Sequence, residues 1–136
     1  MKSIIEGTYK LLSFEAEKEN GEIVYPFGED AVGYIHYSAS GHFSVQYMPR
    51  QQDGETLKGV SYFGSYEYNR EKDYIVHHVE GSLFPNEEGL DKIRNARVRG
   101  KGLQLTCPPQ KWGSDEIVVA NIRFEKQEEL PPVIVF

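Results

Sequence analysis

The sequence predicts an all-β domain that closes into an antiparallel, up-and-down β-barrel of about eight to ten strands. Tyrosine (9), phenylalanine (7) and glycine (13) are plentiful, a balance that favours strands over helices. Short runs of alternating apolar and polar residues follow one another along the chain, separated by turn residues. Such close spacing is typical of a sandwich or a barrel, and a barrel is preferred because closure removes exposed sheet edges.

Turn residues separate the predicted strands in the first half of the chain. The pair Asn20-Gly21 is typical of a hairpin turn, and the small, polar residues 38–41 link a second hairpin. Residues 49–59 are polar, begin with a proline and form the longest predicted loop, which is a candidate lid. The strands are predicted, in order, at residues 7–14, 22–26, 32–37, 42–48, 61–68, 74–84, 92–99, 103–106 and 117–124.

The second half of the chain follows the same pattern. Residues 69–73 form a charged turn, and Pro85 ends the strand that comes after it. Residues 92–99 show some helical spacing, but the Gly-Lys-Gly turn at 100–102 favours a hairpin. Residues 112–116 are predicted to form the loop before the last, strongly apolar strand.

Alternation along each strand assigns side chains to the barrel interior. Successive strand residues point to opposite faces, so the more apolar alternate set of each run is predicted to face inward. This set comprises Tyr9, Leu11, Ser13, Ile35, Tyr37, Phe43, Val45, Tyr47, Tyr62, Gly64, Tyr66, Ile75, His77, Val79, Leu83, Arg94, Ala96, Val98, Leu103, Leu105, Val118, Ala120, Ile122 and Phe124.

The polar members of this inner face predict a cavity that holds a ligand. A barrel of about eight strands either fills with side chains or holds one small molecule. A purely structural core would use aliphatic residues, because a buried hydroxyl, imidazole or guanidinium without a partner costs about 1–3 kcal/mol. The predicted ligand contacts are Tyr37, Tyr47, Tyr62, Tyr66, His77 and Arg94. Two alternatives are tyrosine hydroxyls that reach water at the rim, and a register shifted by one residue, which would expose Arg94 and turn His78 inward.

Three functional classes are compatible with such a barrel. The leading hypothesis is the binding of a small amphipathic, lipophilic or aromatic molecule inside the cavity. The alternative is a small-molecule enzyme of the isomerase or cyclase type, in which His77 moves a proton and Arg94 holds a carboxylate or a developing oxyanion. The third class is a structural protein whose barrel is filled by its own side chains.

Charge and composition disfavour several partners and locations. The net charge of −6, from 21 acidic and 15 basic residues, repels nucleic acid. No apolar run approaches the roughly 20 residues of a membrane span, so membrane insertion is not expected. The single cysteine, Cys107, suits a reducing compartment, and a cytoplasmic location is expected.

No cofactor or metal ion is expected. The adjacent residues His77 and His78 face opposite ways and cannot share one ion, and His78 with Glu80 would need a third ligand from His36 or His42. Cys107 precedes two prolines, with no sign of an activating base, so a nucleophilic role is not expected. No phosphate loop or serine-nucleophile motif is present.

The chain is predicted to be one domain, residues 1–136, with an apolar tail at 126–136. The tail contains the sequence LPPVIVF, which is costly to leave in water. We expect it to lie along the barrel wall, across one end, or against a second subunit in a homodimer.

Several short motifs, spread along most of the chain, resemble the motifs of a known protein family. Gly7-Thr8-Tyr9 resembles a Gly-x-Trp opening motif with tyrosine in place of tryptophan. Further blocks lie at residues 24–28, 33–35, 41–44 and 62–66, and the most specific is HHVEGSLFPN at residues 77–86. In their order and spacing these blocks resemble the lipocalin-like domain family of bacterial and fungal proteins. The resemblance implies a calycin-type barrel and a role with small molecules, without a defined reaction.

Overall fold

A computed structural model of the chain describes residues 5–111, 115–130 and 132–135. Within these residues there are ten strands and one short 3-10 helix, Pro85–Glu87. The strands are β1 Gly7–Lys18, β2 Ile23–Val24, β3 Val32–Tyr37, β4 His42–Met48, β5 Val60–Asn69, β6 Tyr74–Ser82, β7 Asp91–Arg99, β8 Gly102–Thr106, β9 Gln110–Lys111 and β10 Ile117–Lys126. None of the helices in this part of the chain is long and apolar enough to cross a membrane.

Eight of these strands close into an antiparallel barrel. The order around the sheet is β1-β3-β4-β5-β6-β7-β8-β10, and β10 returns to pair with β1. This last pairing runs from Tyr9 opposite Lys126 to Lys18 opposite Val118. The short strands β2 and β9 are additions of two residues each, paired to β1 and β10. The predicted closed, up-and-down barrel is therefore confirmed.

Most of the predicted strands are present, with shifted ends. Residues 92–99 form a strand within β7, and no described residue of 49–59 belongs to a strand. The extended run predicted at residues 22–26 is reduced to β2, whereas β1 continues four residues beyond its predicted end at Phe14. Part of the predicted loop, residues 112–114, lies outside the described residues.

A β-bulge in β1 corrects one of the predicted inward positions. The pairing register between β1 and β10 shifts between Leu11 and Ser13, so the alternation changes phase there. Ser13 consequently lies opposite the exposed Arg123 and is not part of the core, while Phe14 and Ala16 are buried. The prediction that Ser13 faces inward is therefore wrong.

A second bulge, in β6, has the same effect. Val79 pairs with Gly64, Gly81 pairs with Phe63, and the residue between them, Glu80, is left without a partner in β5. After this bulge the side chains change faces, and Leu83 is 68% exposed. The prediction that Leu83 faces inward is therefore wrong. At the same place a Cβ atom on Gly64 would lie 1.8 Å from the carbonyl oxygen of His78, so this close approach of two strands requires glycine.

The interior has two ends with different surroundings. At the end that we call the closed end, the β3–β4, β5–β6 and β7–β8 turns come together, and the fully buried Ile5 packs against the core. At the other end, which we call the open end, β4 leads into the loop 49–59 and β6 leads into the 3-10 helix. The remaining predicted inward residues line this interior, with Tyr66, Arg94 and Val98 only partly buried.

The described apolar side chains of the tail, at residue 130 and residues 133–135, do not pack against the barrel of their own chain. Leu130, Val133, Ile134 and Val135 are 72–87% exposed, and residues 132–135 have no regular secondary structure. The predicted docking along the barrel wall or across one end is therefore wrong for these residues, while Pro131 and Phe136 lie outside the described residues. Docking against a second subunit stays a prediction.

Candidate functional site

A cavity of about 500 Å³ occupies the open end of the barrel. Its volume is typical of sites for small molecules, which usually measure roughly 300–1,000 Å³. Its inner wall is mainly apolar and is formed by Phe14, Phe27, Val60, Leu105, Cys107 and Ile122. The cavity therefore offers most of its contact surface to an apolar group.

Two phenylalanines and a tyrosine form one side of this wall. The rings of Phe14 and Phe27 meet edge to face with their centroids 5.1 Å apart, and Phe14 lies 5.5 Å from the ring of Tyr47. Phe14 reaches the cavity because of the bulge in β1, and Phe27 lies in the loop after β2. Alternation could not identify either residue, since it contains no signal for a bulge or for a loop.

Arg94 brings a positive charge into this apolar cavity. It faces inward from β7 and lines the cavity wall. One guanidinium nitrogen, Nη1, donates to the carbonyl oxygen of Ile93 at 3.1 Å. No carboxylate of the described residues forms an ion pair with it. A guanidinium in such surroundings favours an anionic or oxygen-rich partner.

Lys92 faces the same cavity but has an acidic partner. Its Nζ contacts the carboxylate of Glu87, and both side chains are mostly buried. The same Nζ lies 4.5 Å from the ring centroid of Tyr62, and Glu87 also accepts a hydrogen bond from Ser82 Oγ at 2.8 Å. Sequence reasoning missed this pair, although Lys92 lies two residues before Arg94 and therefore on the same face of β7.

Tyr47 presents an unpaired hydroxyl to the cavity. Its side chain is 3% exposed, and its hydroxyl makes no hydrogen bond with the residues that the structure describes. Burial, followed by the nearby Tyr62, raises the pKa of Tyr47 well above its ordinary value. The hydroxyl therefore stays protonated and is available to a ligand as a donor and as an acceptor.

Next to the cavity, His77 joins two tyrosines in a buried hydrogen-bonded cluster. Its Nε2 lies 2.7 Å from the hydroxyl of Tyr37 and its Nδ1 lies 3.3 Å from that of Tyr62. The ring of Phe43 stacks on the imidazole with centroids 4.2 Å apart. Burial, and then the positive charge of Arg94, lower the pKa of His77 to about 3. The imidazole is therefore neutral at physiological pH.

The structure divides the six predicted ligand contacts into three groups. Tyr47, Tyr62 and Arg94 border the cavity. Tyr37 and His77 lie behind Tyr62 and do not line it. Tyr66 lies toward the closed end, where its hydroxyl donates to the carbonyl oxygen of Ser38 at 2.8 Å. That these residues contact a ligand stays a prediction.

The register predicted for β6 and β7 is confirmed. His77 is fully buried, whereas its neighbour His78 lies on the outer face of the barrel. There its Nδ1 lies 2.6 Å from Asp91 and its Nε2 lies 2.7 Å from Glu67. The Asp91 hydrogen bond, and then that of Glu67, raise the pKa of His78. His78 therefore contacts carboxylates of the neighbouring strands and does not pair with Glu80.

Cys107 also borders the cavity, but its thiol is poorly suited to nucleophilic chemistry. The side chain is buried, and burial raises its pKa. The thiolate, which is the reactive form, is therefore disfavoured at neutral pH.

The loop at residues 49–59 forms part of the cavity mouth through Leu57, Lys58 and Gly59. Two contacts hold the loop to itself: the amide of Gln52 accepts from Lys58 N at 3.0 Å and donates to Lys58 O at 2.8 Å. The loop is thus placed where a lid would act, and its opening and closing stay a prediction.

Comparison with known proteins identifies the family of this chain. The profile of a family described as a lipocalin-like domain matches this chain in two overlapping segments, residues 6–59 and 51–127. This match confirms the resemblance carried by the sequence motifs. No curated protein matches the chain.

Proposed function

The chain belongs to the lipocalin-like domain family, and we propose that its barrel binds a small amphipathic molecule with an anionic or oxygen-rich end. The single observation that carries this proposal is the placement of Arg94. Its guanidinium borders a cavity with a mainly apolar inner wall and has no ion-pairing carboxylate among the described residues. A ligand carboxylate or similar group would provide the partner that the chain itself does not.

The composition of the wall supports an amphipathic ligand over a purely apolar one. The apolar side, with Phe14, Phe27 and Ile122, suits a hydrocarbon or aromatic body. The polar side presents Arg94 and the unpaired hydroxyl of Tyr47. A hydrocarbon ligand would cover the Tyr47 hydroxyl and the remaining N–H groups of Arg94 without offering either a partner, at a cost of about 1–3 kcal/mol for each unsatisfied group.

The charges around the cavity favour an anion over a cation. Lys58 and Lys111 stand at the mouth, and Lys92 is balanced by Glu87 deeper inside. The cavity is thus lined by more basic than acidic residues, in a protein whose net charge is −6. This local excess of positive charge would attract an anionic ligand toward the open end.

The enzyme alternative with His77 and Arg94 has weaker support. His77 is fully buried and does not line the cavity, whereas a general base must come within hydrogen-bond reach of the proton that it removes. A proton from a ligand would first have to pass through Tyr62, whose pKa is raised by burial to about 12.

The test is competition between ligands of matched chain length and different charge. Displacement of the fluorescent probe anilinonaphthalene sulfonate would be measured with decanoate and with decylamine, both below their micelle concentrations. We expect decanoate to displace the probe at the lower concentration. Arg94→Gln should weaken decanoate binding roughly ten- to hundredfold, because a hydrogen bond to a charged group is worth about 1.5–3 kcal/mol.

Arg97→Gln is the matched control, since Arg97 lies on the same strand and faces solvent. It should leave the affinity for decanoate unchanged. Equal displacement by decanoate and decylamine, together with unchanged binding in Arg94→Gln, would remove Arg94 and an anionic ligand from the proposal.

A further inference from the structure

The hydroxyl of Tyr37 has only one hydrogen-bond partner among the described residues. Its oxygen lies 2.7 Å from His77 Nε2, in a fully buried position. The hydroxyls of the neighbouring Tyr9 and Tyr66 are directed elsewhere, to Ile5 O at 2.9 Å and to Ser38 O at 2.8 Å, and neither is hydrogen-bonded to Tyr37. Among the described residues the Tyr37 hydrogen therefore has one acceptor, the Nε2 atom of His77.

This single acceptor determines which nitrogen of His77 carries the proton. A neutral imidazole has one N–H donor and one acceptor nitrogen. If Tyr37 donates to Nε2, the proton of His77 is on Nδ1, which lies 3.3 Å from the hydroxyl oxygen of Tyr62. Nδ1–H then donates to Tyr62, whose oxygen acts as the acceptor.

The opposite direction of hydrogen bonding is less favourable. If Tyr62 donated to Nδ1, Nε2–H would donate to Tyr37, and the Tyr37 hydrogen would have no acceptor among the described residues. An unsatisfied buried donor is costly. Tyr62 has no such difficulty, because it borders the cavity and its hydrogen can reach a bound molecule or water.

We propose that Tyr37 and His77 are positioning residues that make the Tyr62 hydroxyl a hydrogen-bond donor to the cavity, so that the site selects ligands whose polar end accepts hydrogen bonds. This inference rests on the proposed function and deepens it. Tyr62 and Arg94 then both present hydrogens to the same cavity, and Arg94 can only donate. Carboxylates, enolates and carbonyl groups fit these donors, and an ammonium group does not.

The direction of the hydrogen bonds is tested first in the empty protein. Nitrogen-15 NMR of histidine-labelled protein at neutral pH distinguishes a protonated ring nitrogen from an unprotonated one, and the His77 signals are identified by their loss in His77→Gln. We expect a protonated Nδ1 and an unprotonated Nε2. A protonated Nε2 with an unprotonated Nδ1 would overturn the proposal.

Tyr37→Phe provides a second signature that a merely structural role would not produce. Removing the hydroxyl should shift the Nε2 signal of His77 toward that of a nitrogen without a hydrogen bond. Tyr68→Phe is the control, because Tyr68 also packs against the core from β5 but makes no hydrogen bond to His77. It should leave the Nε2 signal in place, and an equal shift in both variants would count against the assigned direction.

The role of Tyr62 in binding is tested with decanoate as the probe. Tyr62→Phe should weaken decanoate binding roughly two- to tenfold, the value of one neutral hydrogen bond, and Tyr68→Phe should not. Unchanged affinity in Tyr62→Phe would overturn its role as a donor to the ligand. If decanoate fails to bind the unaltered protein, the proposed function is what fails, and the NMR result still decides the direction of the hydrogen bonds.

Discussion

The two ends of the barrel interior use similar residues, but their tyrosine hydroxyls differ in how fully the chain satisfies them. Toward the closed end, the hydroxyls of Tyr9 and Tyr66 donate to backbone carbonyls at 2.9 and 2.8 Å. Between the ends, Tyr37 lies 2.7 Å from His77. At the open end, the hydroxyl of Tyr47 has no partner among the described residues. Inward-facing tyrosines therefore occur in this barrel both with and without a partner in the described chain.

This difference shows which feature separates a structural polar residue from a candidate binding residue. Burial alone does not, since Tyr37 and Tyr47 are both almost fully buried. Hydrogen-bonding capacity that the chain leaves unused does, because an unsatisfied buried donor is costly unless water or a ligand satisfies it. The same criterion places Arg94 with the open end.

The largest expected effect is a loss in the free energy of unfolding when one aromatic ring is removed from the packed region around His77 or from the cavity at the open end. Phe43→Ala should cost about 3–5 kcal/mol, because Phe43 is enclosed by His77 and Tyr62. Phe27→Ala should cost clearly less, since Phe27 borders an existing cavity and has fewer packing partners on that side. Urea denaturation of both variants measures the difference. Equal losses would mean that the two regions are packed equally tightly.

Acidification should act on the buried His77. Its pKa is about 3 in the folded protein and 6.5 in a model peptide, so the unfolded chain takes up this proton first. The contribution of neutral His77 to the free energy of unfolding is complete above pH 6.5 and is lost as the pH falls toward 3. By about pH 5 the loss should reach about 2 kcal/mol. Urea denaturation between pH 5 and 8 measures this loss. In His77→Gln, the part of the pH dependence that His77 causes should disappear.

His78 provides the contrast on the outer face. Asp91, and then Glu67, raise the pKa of His78 in the folded protein. Its contribution is therefore present below its unfolded pKa and is lost as the pH rises through the folded value, the opposite direction from His77. For His77, the contradicting result would be a His77→Gln variant whose free energy of unfolding depends on pH as in the unaltered protein. The imidazole of His77 would then not be buried in the way that the structure indicates.

The smallest expected effect comes from single hydroxyl groups. Tyr37→Phe should lower the free energy of unfolding by about 0.5–1.5 kcal/mol, because it removes a buried hydrogen bond to His77. Tyr47→Phe should be neutral or slightly stabilising, because its hydroxyl has no partner in the described chain. Thermal and urea unfolding of the two variants test this. A loss in Tyr47→Phe as large as that in Tyr37→Phe would contradict the difference between them.

Alternation in the sequence was enough to predict the barrel and part of the cavity lining. Tyr47, Tyr62 and Arg94 were assigned to the inner face, and all three border the cavity. Alternation gives the face of a strand but not the position along the barrel axis. It could not separate these residues from Tyr66, or reveal that Tyr37 meets His77, which is 40 residues away in the chain.

The failures of the sequence predictions share a physical cause. Ser13 and Leu83 follow bulges, where one additional residue reverses the alternation. Phe27 and Leu57 reach the cavity from loops, whose paths do not follow a two-residue period. Glu87 was missed because it lies in a 3-10 turn and becomes important only through its contacts with Lys92 and Ser82.

The two bulges also affect how this barrel can diverge between relatives. In a regular strand, inserting or deleting one residue turns every following side chain to the other face and disrupts the core. The bulges at Leu11–Ser13 and Glu80 lie along β1 and β6 between the closed end and the open end. An insertion or deletion at either bulge falls where the pairing of the two strands is already irregular. Descendants of one ancestral barrel can therefore inherit the closed end unchanged while the residues around the cavity are exchanged.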